Sequence, residues 1–172
     1  LIGLSFGGIV VTEISKQLHV KLSILISSAS TRQELPLFFS IAGLLNLDKL
    51  ISQRLLNQPS SFKYYFFGLK TQNQKQLLDK IVYASDKAFV RWAIHQITHW
   101  KNRTRPPKLY KIHGTADRII PIHKSSTDFI IREGSHFMTW ENADKVSNII
   151  NLLLDNTTGH DPLSYKPEYN CI

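Results

Sequence analysis

Cysteine is all but missing from this chain, which has one, Cys171, next to its last residue. A single thiol builds neither an internal disulfide framework nor a cysteine-rich metal site, and such usage fits a reducing, cytoplasmic setting. No apolar run is long enough to cross a bilayer. The apolar opening, residues 1–11, lacks a basic flank and a small-residue cleavage site, so it does not read as a signal peptide. Acidic residues are outnumbered, 13 against 21 Lys and Arg, leaving a formal charge of +8. That imbalance invites an anionic partner. The densest basic run (Lys101, Arg103, Arg105, Lys108 and Lys111) nevertheless has no interleaved aromatics on which bases would stack. It straddles Pro106-Pro107 and reads as a solvated loop entering a strand. Nucleic acid is not the expected partner.

What the chain does have is an ordinary globular composition. Its 172 residues are 42% hydrophobic and 20% charged, enough for one core of real size. Residues 1–5 read as the end of a buried strand, and 6–18 as a helix with Ile9, Glu13 and Lys16 at helical spacing. A second strand falls within 19–28, nearly continuous in apolar residues over 20–26, as a strand covered on both faces should be. From 32 to 105 the pattern is helical. Pro36 opens one amphipathic piece over 37–45, Asn46 and Asp48 punctuate it, and 49–56 repeats the period before Pro59. The aromatic stretch 60–67 is assigned to helix, as are 72–84 and 86–100, the last capped by Ser85 or Asp86. Strands return at 108–114 and 128–134, each ending at a glycine. An amphipathic helix over 142–154 closes the pattern, and 155–172 turns polar.

Strands alternating with helices predict a doubly wound, mostly parallel sheet with an inserted helical block, whose ligands gather outside the strands' carboxyl ends. Three short motifs stand at those ends. Gly3-Leu4-Ser5-Phe6-Gly7 fits a nucleophile elbow, in which a serine stands at a tight strand-to-helix turn and flanking glycines relieve crowding. The following helix points its free amides at that serine. His113-Gly114-Thr115-Ala116-Asp117 follows the third strand, and Gly134-Ser135-His136-Phe137 the fourth. Singly, Asp117 is as readily a turn cap, and His136 a core histidine. Serine, acid and histidine in that order, each just past a strand, make the chain order of a hydrolase triad.

With these motifs the sequence resembles the α/β-hydrolase family over roughly residues 1–154. The resemblance implies a core of 1–31 and 106–154, a cap inserted at 32–105, and a tail at 155–172. It implies Ser5 as nucleophile, Asp117 as acid, His136 as base and the Phe6 N–H as one oxyanion donor, with no cofactor. Glu34, after the second strand, is the alternative acid, and His113 the rival histidine, expected to support the acid loop by hydrogen bonding. His95 and His99 lie four apart, but no third ligand or intervening Glu makes them a metal pair. Leu4, where many members carry histidine, is expected to face the interior. Phe38, Phe39, Tyr64 and Trp92, with Tyr65, Phe66 and Phe67, are candidates for an apolar acyl pocket. The family has strands upstream of the elbow, so the expected molecule is the C-terminal part of that sheet. The first strand then forms an unpaired edge, and the second oxyanion donor is absent. The expected activity is ester hydrolysis through an acyl-serine, on a small-molecule substrate. A catalytically silent domain with a binding role is the alternative, and acyltransfer, haloperoxidase or carbon–carbon bond cleavage would use the same site.

Overall fold

The computed structural model describes residues 1–47 and 60–155. The helical period expected at 49–56, with Asp48 and Pro59 beside it, lies outside the described residues. So does the tail from 156 onward, with His160 and Cys171.

Among the described residues four parallel strands form one sheet in chain order: β1 (Ile2–Leu4), β2 (Ser23–Ile26), β3 (Leu109–Gly114) and β4 (Phe129–Ile131). Helix α1 (Phe6–Gln17) carries the chain from β1 to β2. Between β2 and β3 the described residues hold no strand. They form a 3₁₀ turn at Arg32–Glu34 and helices α2 (Leu37–Leu44), α3 (Ser61–Phe67), α4 (Gln72–Ala84) and α5 (Lys87–His99). The link from β3 to β4 is only a loop with one 3₁₀ turn, Lys124–Ser126, too short for a regular helix. After β4 come α6 (Met138–Glu141) and α7 (Ala143–Asp155). No helix among the described residues is long and apolar enough to cross a membrane.

Alternation along β2 explains why it is buried throughout. Ile24 and Ile26 meet Ile112, Ile131 and the stripe Val146, Ile149 and Leu153 of α7, while Leu25 packs with Val11 of α1 and with Leu109. Each buried aliphatic side chain of this kind contributes about 1.5–3 kcal/mol relative to exposure. A second cluster of Ile9, Ala29, Leu35, Trp100 and Ile120, joined by Phe39 and Ile97, seats the helical excursion on α1 and on the loops that follow β2 and β3.

Local chemistry fixes the ends of the helices. Thr71 and Gln74 form a capping box at the start of α4. Asp86, rather than Ser85, caps α5, accepting the Phe89 N–H at 2.7 Å. The aromatic stretch of α3 is helical and closes on Gly68 at φ 76°.

Four expectations need correction. The second strand starts at Ser23, not at 20, because cross-strand bonding begins only at Leu22, whose carbonyl accepts from Leu1 N at 2.7 Å, and Ser23, which donates to the Lys108 carbonyl at 3.0 Å. The fourth ends at Ile131 because Glu133 turns the chain at φ 59°. Leu4 does not face the interior. Among the described residues β1 pairs only with β2, and this edge position leaves Leu4 45% exposed. The basic run is also not solvated throughout. Arg105 pairs with Asp128 at 2.6 Å, and the Lys111 side chain is buried against Glu34 at 2.6 Å.

Candidate active site

Ser5 stands between β1 and α1 with φ 51° and ψ −120°, a region that costs a non-glycine residue about 1–3 kcal/mol. Three hydrogen bonds hold it there. Its N–H donates to the Ile26 carbonyl at 2.9 Å, and its own carbonyl accepts from Gly8 N at 3.0 Å and Ser28 Oγ at 2.6 Å. The turn is so tight that a Cβ on Gly3 would sit 2.3 Å from the Gly7 carbonyl oxygen. Gly7 itself has no such constraint, since a Cβ there would meet nothing within 4 Å. The second crowded position is Gly8, where a Cβ would strike the Ser28 side chain at 2.4 Å. The crowding expected on both sides of the serine thus falls on Gly3 and Gly8. Phe6 is the first residue of α1, so its N–H is one of the donors a helix leaves unpaired at its start.

Asp117 lies in the loop after β3, its carboxylate fully buried. Oδ1 accepts the N–H groups of Ile119 at 2.9 Å and Ile120 at 3.0 Å. Oδ2 lies 2.8 Å from His136 Nδ1 and 3.4 Å from His113 Nε2. Burial alone would raise this carboxyl. Hydrogen bonds from His113 and His136, the charge of His136 and the Ile120 N–H outweigh it and bring the pKa down to about 2.

His136 follows β4 and has its Nε2 2.9 Å from Ser5 Oγ. A carboxylate only accepts, so Nδ1 carries the ring proton and Nε2 is left as the acceptor facing the serine hydroxyl. The edge of Phe67 meets the imidazole ring, with centroids 5.6 Å apart. Serine, histidine and aspartate therefore form one hydrogen-bonded row. The backbones beneath them are in contact as well, since a Cβ on Gly114 would lie 2.1 Å from the Gly134 carbonyl oxygen.

The other titratable candidates are engaged elsewhere. Glu34 accepts from Lys111 Nζ at 2.6 Å, Ser30 N at 2.8 Å and Ser30 Oγ at 2.7 Å. Burial pushes its carboxyl up, but Lys111 and Ser30 hold it below the usual range. It has no role beside His136. His113 donates Nε2–H to the Ile120 carbonyl at 2.8 Å and so steadies the turn that presents Asp117. His95 and His99 stack with ring centroids 4.1 Å apart, and the described residues hold no group of three or more metal-ligating side chains.

An apolar cleft of about 320 Å³ opens on Ser5 and His136, walled by Leu4, Phe67, Leu78, Ile81 and Trp140. Of the seven aromatics that sequence reasoning offered for the pocket, six lie elsewhere. Phe38 is half exposed and stacks on Phe39, which packs into the second core cluster. Tyr64 donates to Asp79 Oδ2 at 2.5 Å. Trp92 meets Phe6 edge-on in a larger cleft of about 820 Å³ along α1, which includes neither Ser5 nor His136. Tyr65 lies against Arg118 and Phe66 against Phe62. Of the seven aromatics, Phe67 alone lines the cleft at Ser5. The usable signal was aliphatic: Leu77, Leu78 and Ile81 form one stripe of α4.

No family model matches the chain, and no curated protein matches it in sequence. Solved structures do match its fold. A meta-cleavage product hydrolase from Pseudomonas fluorescens IP01 (CumD) aligns over 90% of this chain and 64% of its own, with 15% identity and a TM-score of 0.60. A bromoperoxidase from Bacillus anthracis aligns over 90% and 66%, with 15% identity and a TM-score of 0.56. A membrane phospholipase A described as a bacterial virulence factor aligns over 93% and 57%, with 17% identity and a TM-score of 0.59. These are members of the α/β-hydrolase family, and the likeness shows that this chain has their fold. The chain spans less than two thirds of the length of each of these structures.

Proposed function

We propose that this α/β-hydrolase-fold chain is a serine hydrolase that cleaves carboxylic esters of small molecules through an acyl-serine, with Ser5 as nucleophile, His136 as base and Asp117 as acid. The observation that carries the reading is the unbroken row from Ser5 Oγ through His136 to Asp117. A serine hydroxyl is a weak nucleophile until a base takes its proton. His136 Nε2 accepts that proton as Oγ attacks the ester carbonyl, and it returns the proton to the departing alcohol. Water then adds to the acyl-serine by the same route and releases the acid. Asp117 fixes the imidazole tautomer and stabilises the imidazolium in both halves. The Phe6 N–H faces the oxyanion, a type of contact worth about 2.7–4 kcal/mol of transition-state stabilisation. Beyond the ester and water, each step uses protein groups alone, so the reading needs no cofactor.

In this reading the core is 1–31 with 106–154, and the excursion 32–105 is a cap. Phe67 and α4 supply the apolar wall that meets the acyl group. Hydrolysis of p-nitrophenyl esters of rising chain length tests the proposal. Turnover should depend on apolar acyl length and should fall by at least about 10³-fold in Ser5→Ala. Ester turnover that survives Ser5→Ala with the same length dependence would refute it. A folded wild type without turnover would favour a binding domain.

A further inference from the structure

The residue before His136 is held from a distance. Ser135 is 3% exposed, and its Oγ donates to Glu141 Oε2 at 2.6 Å while accepting the Phe137 N–H at 3.0 Å. Its carbonyl accepts from Met138 N at 3.1 Å. Glu141 ends α6, and its other oxygen accepts from Gln74 Nε2 at 3.0 Å, across 67 residues of sequence. Gln74 cannot simply rotate away. Its Oε1 receives the N–H groups of Lys70 and Thr71, both at 2.8 Å, so the capping box of α4 fixes which end faces Glu141. A second contact lies beside the first. Gly68 comes so near that a Cβ there would sit 2.5 Å from Ser135 Cβ, and its φ of 76° favours glycine as well. The turn that presents the imidazole is therefore fastened to the helical excursion through a carboxylate with a donor on each oxygen.

We propose that Glu141 is a positioning residue for His136: it acts through Ser135, and Gln74 makes that action depend on where α4 sits. The proposal rests on the serine hydrolase reading, because it concerns the alignment of His136 Nε2 on Ser5. Displacements of about 1 Å at a reacting group cost on the order of 10²-fold in rate. A carboxylate that fixes the neighbouring turn is able to control alignment on that scale without touching substrate.

Four variants of the intact protein, Glu141→Ala, Glu141→Gln, Gln74→Glu and the exchange Glu141→Gln/Gln74→Glu, test it by ester kinetics, melting temperature and the NMR signal of the His136 Nδ1 proton. Glu141→Ala should lower kcat by roughly 10–100-fold with KM unchanged and weaken or shift that signal. Glu141→Gln leaves one oxygen for two donors, so either the Gln74 amide or the Ser135 hydroxyl loses its acceptor, and Gln74→Glu sets two carboxylates against each other; each should lose activity. The exchange restores one donor and one acceptor at every contact and should recover kcat. Wild-type kcat in Glu141→Ala would overturn the proposal. So would losses that merely follow the folded fraction, or an exchange no better than its parts. If even the wild type fails to turn over esters, the hydrolase reading fails separately. The Nδ1 proton signal then decides alone: unchanged in Glu141→Ala it refutes the positioning role, and altered it supports it.

Discussion

Asp117 is where the energetics of the site concentrate in one side chain. Its carboxyl is fully desolvated yet titrates at about 2, against an ordinary 3.8. The folded state thus binds this proton less readily than the unfolded chain does. The resulting stabilisation, about 2 kcal/mol, is complete above the unfolded value, shrinks as pH falls from 3.8 towards about 2, and is gone below it. Asp117→Asn should therefore flatten the stability curve between about pH 4 and pH 2, as read by urea melts at each pH. It should also lower kcat by about 10³–10⁴-fold by losing the carboxylate that sets the tautomer. A stability difference that persists unchanged below pH 2 would contradict the assignment. Ser5, Asp117 and His136 could be picked out beforehand because each follows a strand and a glycine, a local pattern. Glu141 and Gln74 could not, since neither motif nor period links residues 67 apart in sequence.

At the scale of elements, the sheet is held to the excursion by the ion pair between Lys111 of β3 and Glu34 of the 3₁₀ turn. Lys111 sits on the same sheet face as Leu25, its register partner in β2, and its side chain is 1% exposed. Burial favours the uncharged amine and the Glu34 carboxylate opposes that; with Ser30 as a further donor to Glu34, the charged pair is the form that satisfies every group. Removing one partner strands the other. Lys111→Met should destabilise the fold by about 3–5 kcal/mol, and Glu34→Gln/Lys111→Met by markedly less, in denaturant melts. Equal losses in the two would show that the pair is not coupled. The alternation of strands with helices was readable because both periods are long enough to register. Strand ends were not, because Ser23 and Ile131 are set by cross-strand partners and by the turn at Glu133. The wall of the cleft was misplaced for a related reason. Aromatic content marked α2 and α3, of which only Phe67 reaches the cleft, whereas the face of α4 bearing Leu78 and Ile81 supplies more of its wall.

At the scale of the whole molecule, four parallel strands bring three distant loops to one carboxyl edge, and the excursion closes over that edge through Phe67, Gly68 and Gln74. Among the described residues β1 pairs only with β2, and Leu1, Ile2 and Leu4 are each close to half exposed. The proposed chemistry depends on Ser5 being nucleophilic within that assembly, and covalent trapping measures this directly. Treating the intact protein with a fluorophosphonate and mapping the adduct by peptide mass should place one phosphonyl group on Ser5. Labelling should be lost in Ser5→Ala and strongly slowed in His136→Ala. An adduct on another residue, or labelling that persists in folded Ser5→Ala, would contradict the account.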